Sequence, residues 1–464
     1  MFVRQTIELR PNNKQKTYFR QCFGAHRLAY NYGLREWIRL RDSGQKTNCR
    51  DIRTQFNREK QAGRWPFLKR LSSASTCFAF DDLKRAFENF FHGHEQVKRG
   101  TTADVSGFPQ PKNKTYNEGN YTEYFDAKGT CGARIIDHRM KMKKHKRKDG
   151  VIVVTYADDP DSQPNHKRPY LLLPKLGCVR MTRPLRYEGR PVSVTVRQHN
   201  ERFYACFLVE ITDEEFVRTH PQYALRPTAA VGIDLGIKEL AVTSDGIVIE
   251  NPRHWEHQLE KENRLQERMN RCSGTKQKKS ERKHFRPSKR FLKAKMRLWR
   301  HRTHIRNCRE DLRNRFCSII LSHYQHIGIE TLGVKQMPDS CKEDKSKRKL
   351  RQHLAEVSLY EIRHRLQTLG ELLGRNVVAA PSNYRSTRIC SNCGHVEPHM
   401  NVNKRTYRCP KCGSEIDRDL NAAINLRKIT GGDNSGLTTD EICLLRSELI
   451  KGNIKHSQIE AVRR

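Results

Sequence analysis

The spacing of apolar positions changes twice within the first 225 residues. Residues 1–9 alternate as a β-strand does, whereas residues 12–100 place apolar side chains three and four apart, which predicts helices, the first of them capped by Asn12-Asn13. Beyond residue 107 the apolar runs have strand length again, at Val151–Thr155, Tyr170–Leu173, Val192–Val196 and Phe203–Glu210. The pattern predicts a small β-barrel or sandwich, with a helical lobe inserted after its first strand.

Two short apolar strands in the second half of the chain each carry one acidic residue. Residues 229–237 (AAVGIDLGI) contain Asp234, and residues 326–332 (HIGIETL) contain Glu330. An ionised carboxylate in a buried strand costs free energy unless its charge is used, for instance by a metal ion. An acid at a strand edge that faces water explains one such strand more readily than two.

Two C-x-x-C-G motifs follow these strands. Cys390 and Cys393 form the first, Cys409 and Cys412 form the second, and fifteen residues separate them. Two thiolates spaced in this way can bind one ion, and the glycine behind each pair leaves the sulfurs room to accept backbone N–H bonds. Cysteines that merely fill apolar sites do not arrive as such pairs. The motifs therefore predict a zinc ribbon that binds one Zn²⁺.

An Ala-rich helix is predicted directly behind the ribbon, in the run IDRDLNAAINL at residues 416–426. Asp417 and Asp419 stand at its start. Acids at that position can simply cap a helix and complement its dipole. They take part in metal chemistry only if other carboxylates meet them.

The charge of the chain indicates the kind of partner. Among 464 residues, 90 Lys and Arg stand against 51 acids, a net charge of +39, and this excess favours a polyanionic partner. At roughly 150 residues per domain, the length predicts about three domains. Since no run of eighteen apolar residues and no signal-peptide core is present, nucleic acid is favoured over a membrane, and the protein is predicted to be cytoplasmic and nucleoid-associated.

Two segments concentrate the positive charge. Residues 271–310 hold sixteen Lys and Arg against two acids, a density that favours nucleic-acid contact over a merely solvated face. Five residues there are predicted to bind nucleic acid: Lys276, Lys278, Lys279, Arg282 and Lys283. The run RMKMKKHKRK, residues 139–148, is predicted to be a mobile, solvated loop that adds charge rather than specificity.

Five motifs together resemble those of TnpB, the RNA-guided endonuclease of insertion sequences, and of its relatives, the compact type V CRISPR effectors. They are GIDLGIKELAVTSDG, IGIETLGV, YRSTRICSNCG, YRCPKCG and DRDLNAAINL. Their order is similar to that of the RNase H-like fold of RuvC-type nucleases. The resemblance spans most of residues 1–430, and the departures, residues 139–148 and the tail after Lys428, touch no catalytic motif.

This resemblance implies an α/β multidomain protein in which a β-barrel with a helical insertion precedes an RNase H-like (RuvC) nuclease domain carrying an inserted zinc ribbon. The expected boundaries are 1–11 and 101–225 for the wedge-like barrel, 12–100 for the helical recognition lobe, 226–381 and 415–430 for the nuclease domain, 382–414 for the ribbon and 431–464 for a charged, disordered tail.

The resemblance also implies a catalytic triad. Asp234 corresponds to its first acid, Glu330 to its second and Asp419 to its third, with Asp417 as the alternative for the third place. Three such carboxylates can hold two Mg²⁺ ions about 4 Å apart, one activating water and one stabilising the leaving oxygen. The implied reaction is hydrolysis of a DNA phosphodiester.

The implied partners are a guide RNA and a target double-stranded DNA. In this picture the barrel and the helical lobe form a channel for the guide–target heteroduplex, while the protein itself reads backbone shape and a short adjacent motif. The alternatives are a nuclease-inactive RNA-guided DNA-binding repressor, a nonspecific metal-dependent nuclease, a DNA strand-transfer enzyme and a nonspecific zinc-ribbon RNA-binding protein. The presence of all three acids disfavours the repressor. A transposon-encoded and a CRISPR-associated protein both remain open.

Overall fold

The computed structural model describes residues 1–45, 47–99, 107–114, 118–125, 132–146, 152–159, 164, 167–223, 227–272, 288–331, 359–381, 383–398, 405–431 and 435–459. Two units follow each other along the chain, Met1–Thr219 and His220–Arg464. Within the described ranges, no helix is both long enough and apolar enough to cross a lipid bilayer.

Strands and helices of the first unit follow the predicted order, with three long helices between the first and second strands. The strands are β1 (Phe2–Arg10), β2 (Glu118–Tyr124), β3 (Arg134–Ile136), β4 (Met140–Lys146), β5 (Ile152–Asp158), β6 (Tyr170–Leu173), β7 (Gly177–Met181), β8 (Arg190–His199) and β9 (Arg202–Glu210). The helices are α1 (Asn13–Asp42), α2 (Cys49–Gln61), α3 (Ala74–Lys98) and α4 (Asp213–Thr219).

Of the two asparagines predicted to cap the first helix, Asn12 is the N-cap of α1. The Asn12 side chain accepts a hydrogen bond from the Gln15 backbone N–H, and the Gln15 side chain accepts one from the Asn12 N–H, which completes a capping box. Its apolar stripe faces the sheet: Phe19 is fully buried and its ring lies 5.5 Å from that of Phe203 on β9. The helical lobe is thereby packed on the sheet of the same unit.

Seven strands of the first unit form one sheet in the order β2-β8-β9-β1-β7-β6-β3. Its outer strands, β2 and β3, are connected through one isolated bridge between Phe125 and Ala133 and through no ladder in the described part of the chain. The predicted β-barrel is therefore not closed. Strand β3 has only three residues, and its ladder among the described residues is with β6.

The basic run at residues 139–148 is not the loop that its charge predicted. Met140–Lys146 forms β4, which pairs antiparallel with β5 from Met140 opposite Asp158 to Lys146 opposite Ile152. A β-ladder uses only backbone N–H and C=O groups, so a run of lysines can join it opposite an apolar strand. The last two residues of the run lie outside the described ranges.

The second unit continues the series with eight strands and five helices among its described residues. The strands are β10 (Ala230–Leu235), β11 (Glu239–Thr243), β12 (Ile247–Glu250), β13 (His326–Ile329), β14 (Asn376–Ala379), β15 (Thr406–Arg408), β16 (Glu415–Asp417) and β17 (His456–Gln458). The helices are α5 (His254–Cys272), α6 (Lys289–His323), α7 (Leu359–Leu373), α8 (Arg418–Lys428) and α9 (Thr439–Lys451).

Six strands of this unit form a mixed sheet in the order β14-β13-β10-β11-β12-β17. The strands β10, β13 and β14 are parallel, whereas β10, β11 and β12 form an antiparallel meander. A two-stranded hairpin, β15 and β16, stands apart from this sheet and leads directly into α8.

The sheet of the second unit lies between two helical layers. Neighbouring residues of a strand point to opposite faces, so each strand packs against both layers. On one face, Val231 and Ile233 of β10 pack in a large apolar core with side chains of α6, α7 and α9. On the other face, Val242 and Val248 pack with Leu420 of α8. The even-numbered positions of β10, including Asp234, therefore belong to the face that α8 covers.

The C-terminal segment was predicted to be disordered, and this prediction is wrong for residues 435–459. Helix α9 begins with a capping box between Thr438 and Glu441, and its Leu445 and Leu449 are buried in the apolar core of the unit. Strand β17 then pairs with β12 at the edge of the sheet. The segment has few apolar residues, but four-residue spacing places these two on one helical face.

Candidate active site and metal centre

Two of the predicted catalytic acids meet at one end of the central sheet. Asp234 lies near the end of β10, and Glu330 directly follows the last residue of β13. These strands are parallel neighbours with Ile233 opposite Ile329, so the next residues along each strand stand side by side. The two carboxyl groups are close enough for each to shift the pKa of the other.

The electrostatics of this pair favour a bound cation. Burial raises the pKa of Asp234 well above its ordinary value, and the charges of Glu330 and Asp419 raise it further against the opposing charge of Arg418. Burial likewise raises the pKa of Glu330. Carboxylates in contact repel each other when both are ionised, and a divalent cation removes that repulsion. The hard oxygen donors suit Mg²⁺ or Mn²⁺.

Asp417 and Asp419, the two candidates for the third acid, have different partners. Asp417 is the N-cap of α8, and its Oδ1 accepts hydrogen bonds from the backbone N–H groups of Asp419 at 2.9 Å and Leu420 at 3.0 Å. Asp419 instead directs its carboxylate toward arginines, and its charge acts on Asp234. The structure thus gives the capping role to Asp417 and brings Asp419 toward the acid pair.

The three carboxylates are near one another without being tightly gathered. Among groups of three or more His, Cys, Asp or Glu in the described residues, only the four cysteines have ligand atoms that all lie within 4.8 Å of one another. At least one of the separations among the carboxylates of Asp234, Glu330 and Asp419 therefore exceeds 4.8 Å.

Two glycines allow α8 to reach the sheet, and sequence reasoning missed them. A Cβ atom on Gly232 would lie 1.8 Å from the backbone oxygen of Ala423, and one on Gly328 would lie 1.9 Å from that of Leu426. Any other residue would push α8, and with it Asp419, away from the strands. The sequence contains a pattern that could have indicated them, because both strands read Gly-x-acid. Residues two apart on a strand share a face, so each glycine lies on the same face as the acid that follows it.

The four predicted zinc ligands come together as expected. The Cys390 and Cys412 sulfurs are 3.7 Å apart, those of Cys393 and Cys409 are 3.5 Å apart, and all four lie within 4.8 Å of one another. Hydrogen bonds from the hydroxyl and backbone N–H of Ser414 lower the pKa of Cys412 to about 6. A cluster of four such sulfurs is compatible with Zn²⁺, which thiolates select over hard cations.

Two buried asparagines fasten this ribbon to α8, and sequence reasoning missed these as well. The Asn421 amide donates to the Ile389 carbonyl oxygen at 2.7 Å and accepts from the Ser391 N–H at 2.8 Å. Asn425, one helical turn later, donates to the carbonyl oxygens of Ser386 and Ile389. The ribbon and the helix that carries Asp419 are therefore joined at the cysteine-bearing loop.

A cleft of about 600 Å³ opens beside Asp419. Its lining comes from β11, β12, β17 and the ribbon hairpin, and it includes the cations Lys238, Arg253 and Arg405 together with Asp417 and Asp419. The five basic residues predicted to bind nucleic acid, Lys276, Lys278, Lys279, Arg282 and Lys283, lie outside the described residues.

Three family models match separate parts of this α/β protein with its four-cysteine ribbon. The Cas12f1-like TNB domain matches residues 360–426, a family described as "Probable transposase" (OrfB_IS605) matches residues 206–340, and its "Helix-turn-helix domain" matches residues 4–46. The last range forms β1 and α1 in this structure. The four-cysteine cluster lies within the first match and fits a zinc ribbon.

Three relatives support the same family, two of them similar along most of the chain. The "Putative RNA-guided DNA endonuclease InsQ" of Escherichia coli K12 is 25% identical over 90% of both chains. A "Putative RNA-guided DNA endonuclease" of Streptomyces pristinaespiralis is 24% identical over 90% of this chain and 86% of its own. The "TnpB-like protein L79" of Acanthamoeba polyphaga mimivirus is 31% identical over 31% of this chain and 26% of its own. The chain belongs to the TnpB-like family.

Among solved structures, the mini-RNA-guided endonuclease CRISPR-Cas_phi3 is similar at 10% sequence identity and a TM-score of 0.44, with 94% of each chain covered. CasPhi-2 (Cas12j) bound to crRNA is similar at 11% identity and a TM-score of 0.37, with 94% of this chain and 99% of that chain covered. Similarity at this level carries no argument about the site.

Proposed function

We propose that this protein is an RNA-guided DNA endonuclease that hydrolyses target DNA at the carboxylate site of its second unit. The observation that carries the proposal is the contact between Asp234 and Glu330 at the ends of neighbouring parallel strands, with Asp419 on the helix beside them. The strand order β14-β13-β10-β11-β12, with a parallel half and an antiparallel meander, supports an RNase H-like (RuvC) fold for this unit.

Asp234, Glu330 and Asp419 would hold the divalent ions in this proposal. When bound, two Mg²⁺ ions supply an activated water and stabilise the leaving oxygen of the phosphodiester. The acids of the protein repel one another when ionised, and a bound cation relieves that repulsion. Gly232 and Gly328 let α8 approach the strands. Asp417 keeps α8 in position by capping it rather than by binding metal.

The partners in this proposal are a guide RNA and a double-stranded DNA target. The relatives named as RNA-guided DNA endonucleases support it, and so does the net charge of +39, far more than a short substrate groove requires. The basic segment at residues 271–310 is proposed to contact nucleic acid phosphates, with Lys276, Lys278, Lys279, Arg282 and Lys283 among its contacts. The ribbon is proposed to bind one Zn²⁺.

The experiment that tests the proposal is plasmid cleavage by the purified RNA complex. Plasmids matched and unmatched to the copurified RNA are incubated with wild type and with the Asp234→Ala, Glu330→Ala, Asp419→Ala and Asp417→Ala variants, in Mg²⁺ and in EDTA. Wild type should cut only the matched plasmid and only with metal. The first three variants should lose about a thousandfold or more in rate while retaining guided binding, because the ions act on the scissile phosphate.

Each alternative function predicts a different outcome. Equal cutting of both plasmids by protein stripped of RNA would identify a nonspecific nuclease, and guided binding without any cutting would identify a repressor. Full activity in EDTA would end the two-metal account. Loss of cutting in Asp417→Ala together with normal cutting in Asp419→Ala would exchange the roles of these two acids.

A further inference from the structure

The carboxylate of Asp419 is held by two arginines. Arg418 donates to Oδ1 from both Nε, at 3.0 Å, and Nη2, at 2.9 Å, while Arg405 donates to Oδ2 from Nη1 at 3.0 Å. Both carboxylate oxygens of the proposed third metal ligand are therefore engaged with guanidinium groups.

Arg405 and Arg418 have different positions relative to the rest of the site. Arg418 precedes Asp419 on α8 and also acts on Asp234, so it belongs to the immediate surroundings of the acid pair. Arg405 comes from the ribbon hairpin, where its backbone oxygen accepts a hydrogen bond from the Arg418 N–H at 2.7 Å. Its side chain is half exposed and lines the cleft of about 600 Å³. Arg405 can therefore leave Asp419 without disturbing a buried contact.

An ion pair and a metal ion compete for the same oxygens. A guanidinium bonded to a carboxylate occupies the lone pairs that a divalent cation needs, and the like charges of the two cations repel. Within the described residues, the three acids are not gathered within the 4.8 Å that the four cysteines reach, which fits an Asp419 engaged elsewhere.

We propose that Arg405 is a positioning residue that holds Asp419 in an ion pair in the metal-free protein and thereby weakens the binding of divalent cations to the carboxylate site. The inference rests on the proposed function, because it takes Asp234, Glu330 and Asp419 as the metal ligands. Through Arg405, the ribbon regulates the loading of a site to which it contributes no ligand. The ion pair is broken when Asp419 turns to the metal, and the guanidinium then faces the cleft.

The test is a titration of Mn²⁺ into the zinc-loaded full chain without nucleic acid, followed by electron paramagnetic resonance. Arg405→Gln, which removes the charge, should bind Mn²⁺ about two- to fivefold more tightly than wild type, as expected for a partly exposed ion pair. Arg405→Lys, which keeps the charge, should remain near wild type. The matched control is Arg408→Gln, because Arg408 lies on the same hairpin and pairs with Glu415 at 3.0 Å, away from the acids.

A double-mutant cycle identifies the route of the effect. In an Asp419→Asn background, Arg405→Gln should no longer change the affinity for Mn²⁺, because the competing carboxylate is absent. An unchanged affinity in Arg405→Gln alone, or an equal gain in Arg408→Gln, would overturn the proposal. The same conclusion follows if the gain persists in the Asp419→Asn background.

Failure of the proposed function would look different. It would appear as Mn²⁺ binding that Asp234→Ala does not weaken, or as a wild-type complex that does not cut the matched plasmid. An unchanged affinity in Arg405→Gln alongside normal guided cutting by wild type would remove only the inference about Arg405.

Discussion

The two candidate metal sites of the second unit are built in opposite ways. The ribbon takes all four ligands from residues 390–412, whereas the carboxylate site takes its acids from residues 234, 330 and 419. In the ribbon, every sulfur lies within 4.8 Å of the others, and hydrogen bonds lower the pKa of Cys412 to about 6. In the carboxylate site, burial raises the pKa values of both Asp234 and Glu330, and the charges of Glu330 and Asp419 raise that of Asp234 further.

This difference shows which site depends on the tertiary structure. Two short C-x-x-C turns gather four soft ligands from one local segment, so the ribbon assembles its candidate zinc site once the hairpin forms. The acids come together only when the sheet is formed and α8 lies on it, and their ionised forms repel one another. The ribbon and α8 are connected through Asn421 and Asn425. A change that unfolds the ribbon should therefore also displace α8 and the carboxylate of Asp419.

Among the variants, Gly328→Ala should produce the largest effect, and it should damage the carboxylate site while leaving the zinc ribbon intact. Its Cβ would lie 1.9 Å from the backbone oxygen of Leu426, so α8 must move away from β13. We expect the free energy of unfolding to fall by about 3 kcal/mol or more and DNA cleavage to be lost, because overpacking against backbone cannot be relieved by a rotamer change. The zinc content per folded chain should stay unchanged.

Chemical denaturation, metal analysis and plasmid cleavage measure these three effects. Gly24→Ala is the control, because a Cβ at Gly24 meets no atom within 4 Å. Normal cleavage by Gly328→Ala would contradict the role given to the contact between α8 and the sheet.

Cys390→Ser should damage the ribbon first and, through it, the carboxylate site. Loss of a buried thiolate should remove the zinc, and the loosened ribbon should let α8 and Asp419 shift, reducing cleavage by about tenfold or more, as for other supports of a metal site. Zinc analysis and cleavage at saturating Mg²⁺ give the two readouts. Cys443→Ser, at an exposed cysteine of α9, should change neither. A zinc-free Cys390→Ser protein that cuts at the wild-type rate would show that the sites are independent.

The connection itself is tested by Asn421→Ala. Loss of the Asn421 amide leaves the partly buried N–H of Ser391 without its acceptor, which should cost about 1 to 3 kcal/mol of unfolding free energy. Zinc should be retained, while cleavage falls severalfold. Lys428→Gln removes an exposed contact to the Ser391 carbonyl oxygen of the same loop and should cost less. Equal losses from both variants, measured by denaturation, would argue against a special role for the buried amide.

The smallest expected effect is a gain in stability from Asp234→Asn in the metal-free protein. The folded-state pKa of Asp234 is raised, so its ionised form is disfavoured in the fold, and the neutral amide should add about 1 kcal/mol at pH 8. This advantage should be absent below the ordinary carboxyl pKa near 4, grow as pH rises toward the folded-state pKa and be complete above it. Thermal unfolding between pH 4 and pH 8 measures it. A loss of stability at pH 8 would contradict the strained acid pair.

Several features follow from the sequence because they depend on local spacing. Asn12, one of the two asparagines predicted as a cap, begins α1, four cysteines in two short turns form one cluster, and Asp234 and Glu330 each stand in or directly after a short apolar strand. In each case the residues that matter are neighbours along the chain or share a repeated pattern. Capping, turn geometry and alternation are short-range rules, so they can be applied before the fold is known.

The tertiary structure decided the features that depend on distant parts of the chain. Residues 140–146 of the lysine run join a ladder with β5, the first sheet stays open at β3, and residues 456–458 complete the edge of the second sheet, although charge, strand pattern and composition predicted otherwise. Likewise, both Asp417 and Asp419 suit the start of a helix by sequence, and only the packing of α8 on Gly232 brings Asp419 toward Asp234 while Asp417 remains a cap. Strand pairing and close backbone contact depend on which segments meet in space, and that information is not contained in any single stretch of sequence.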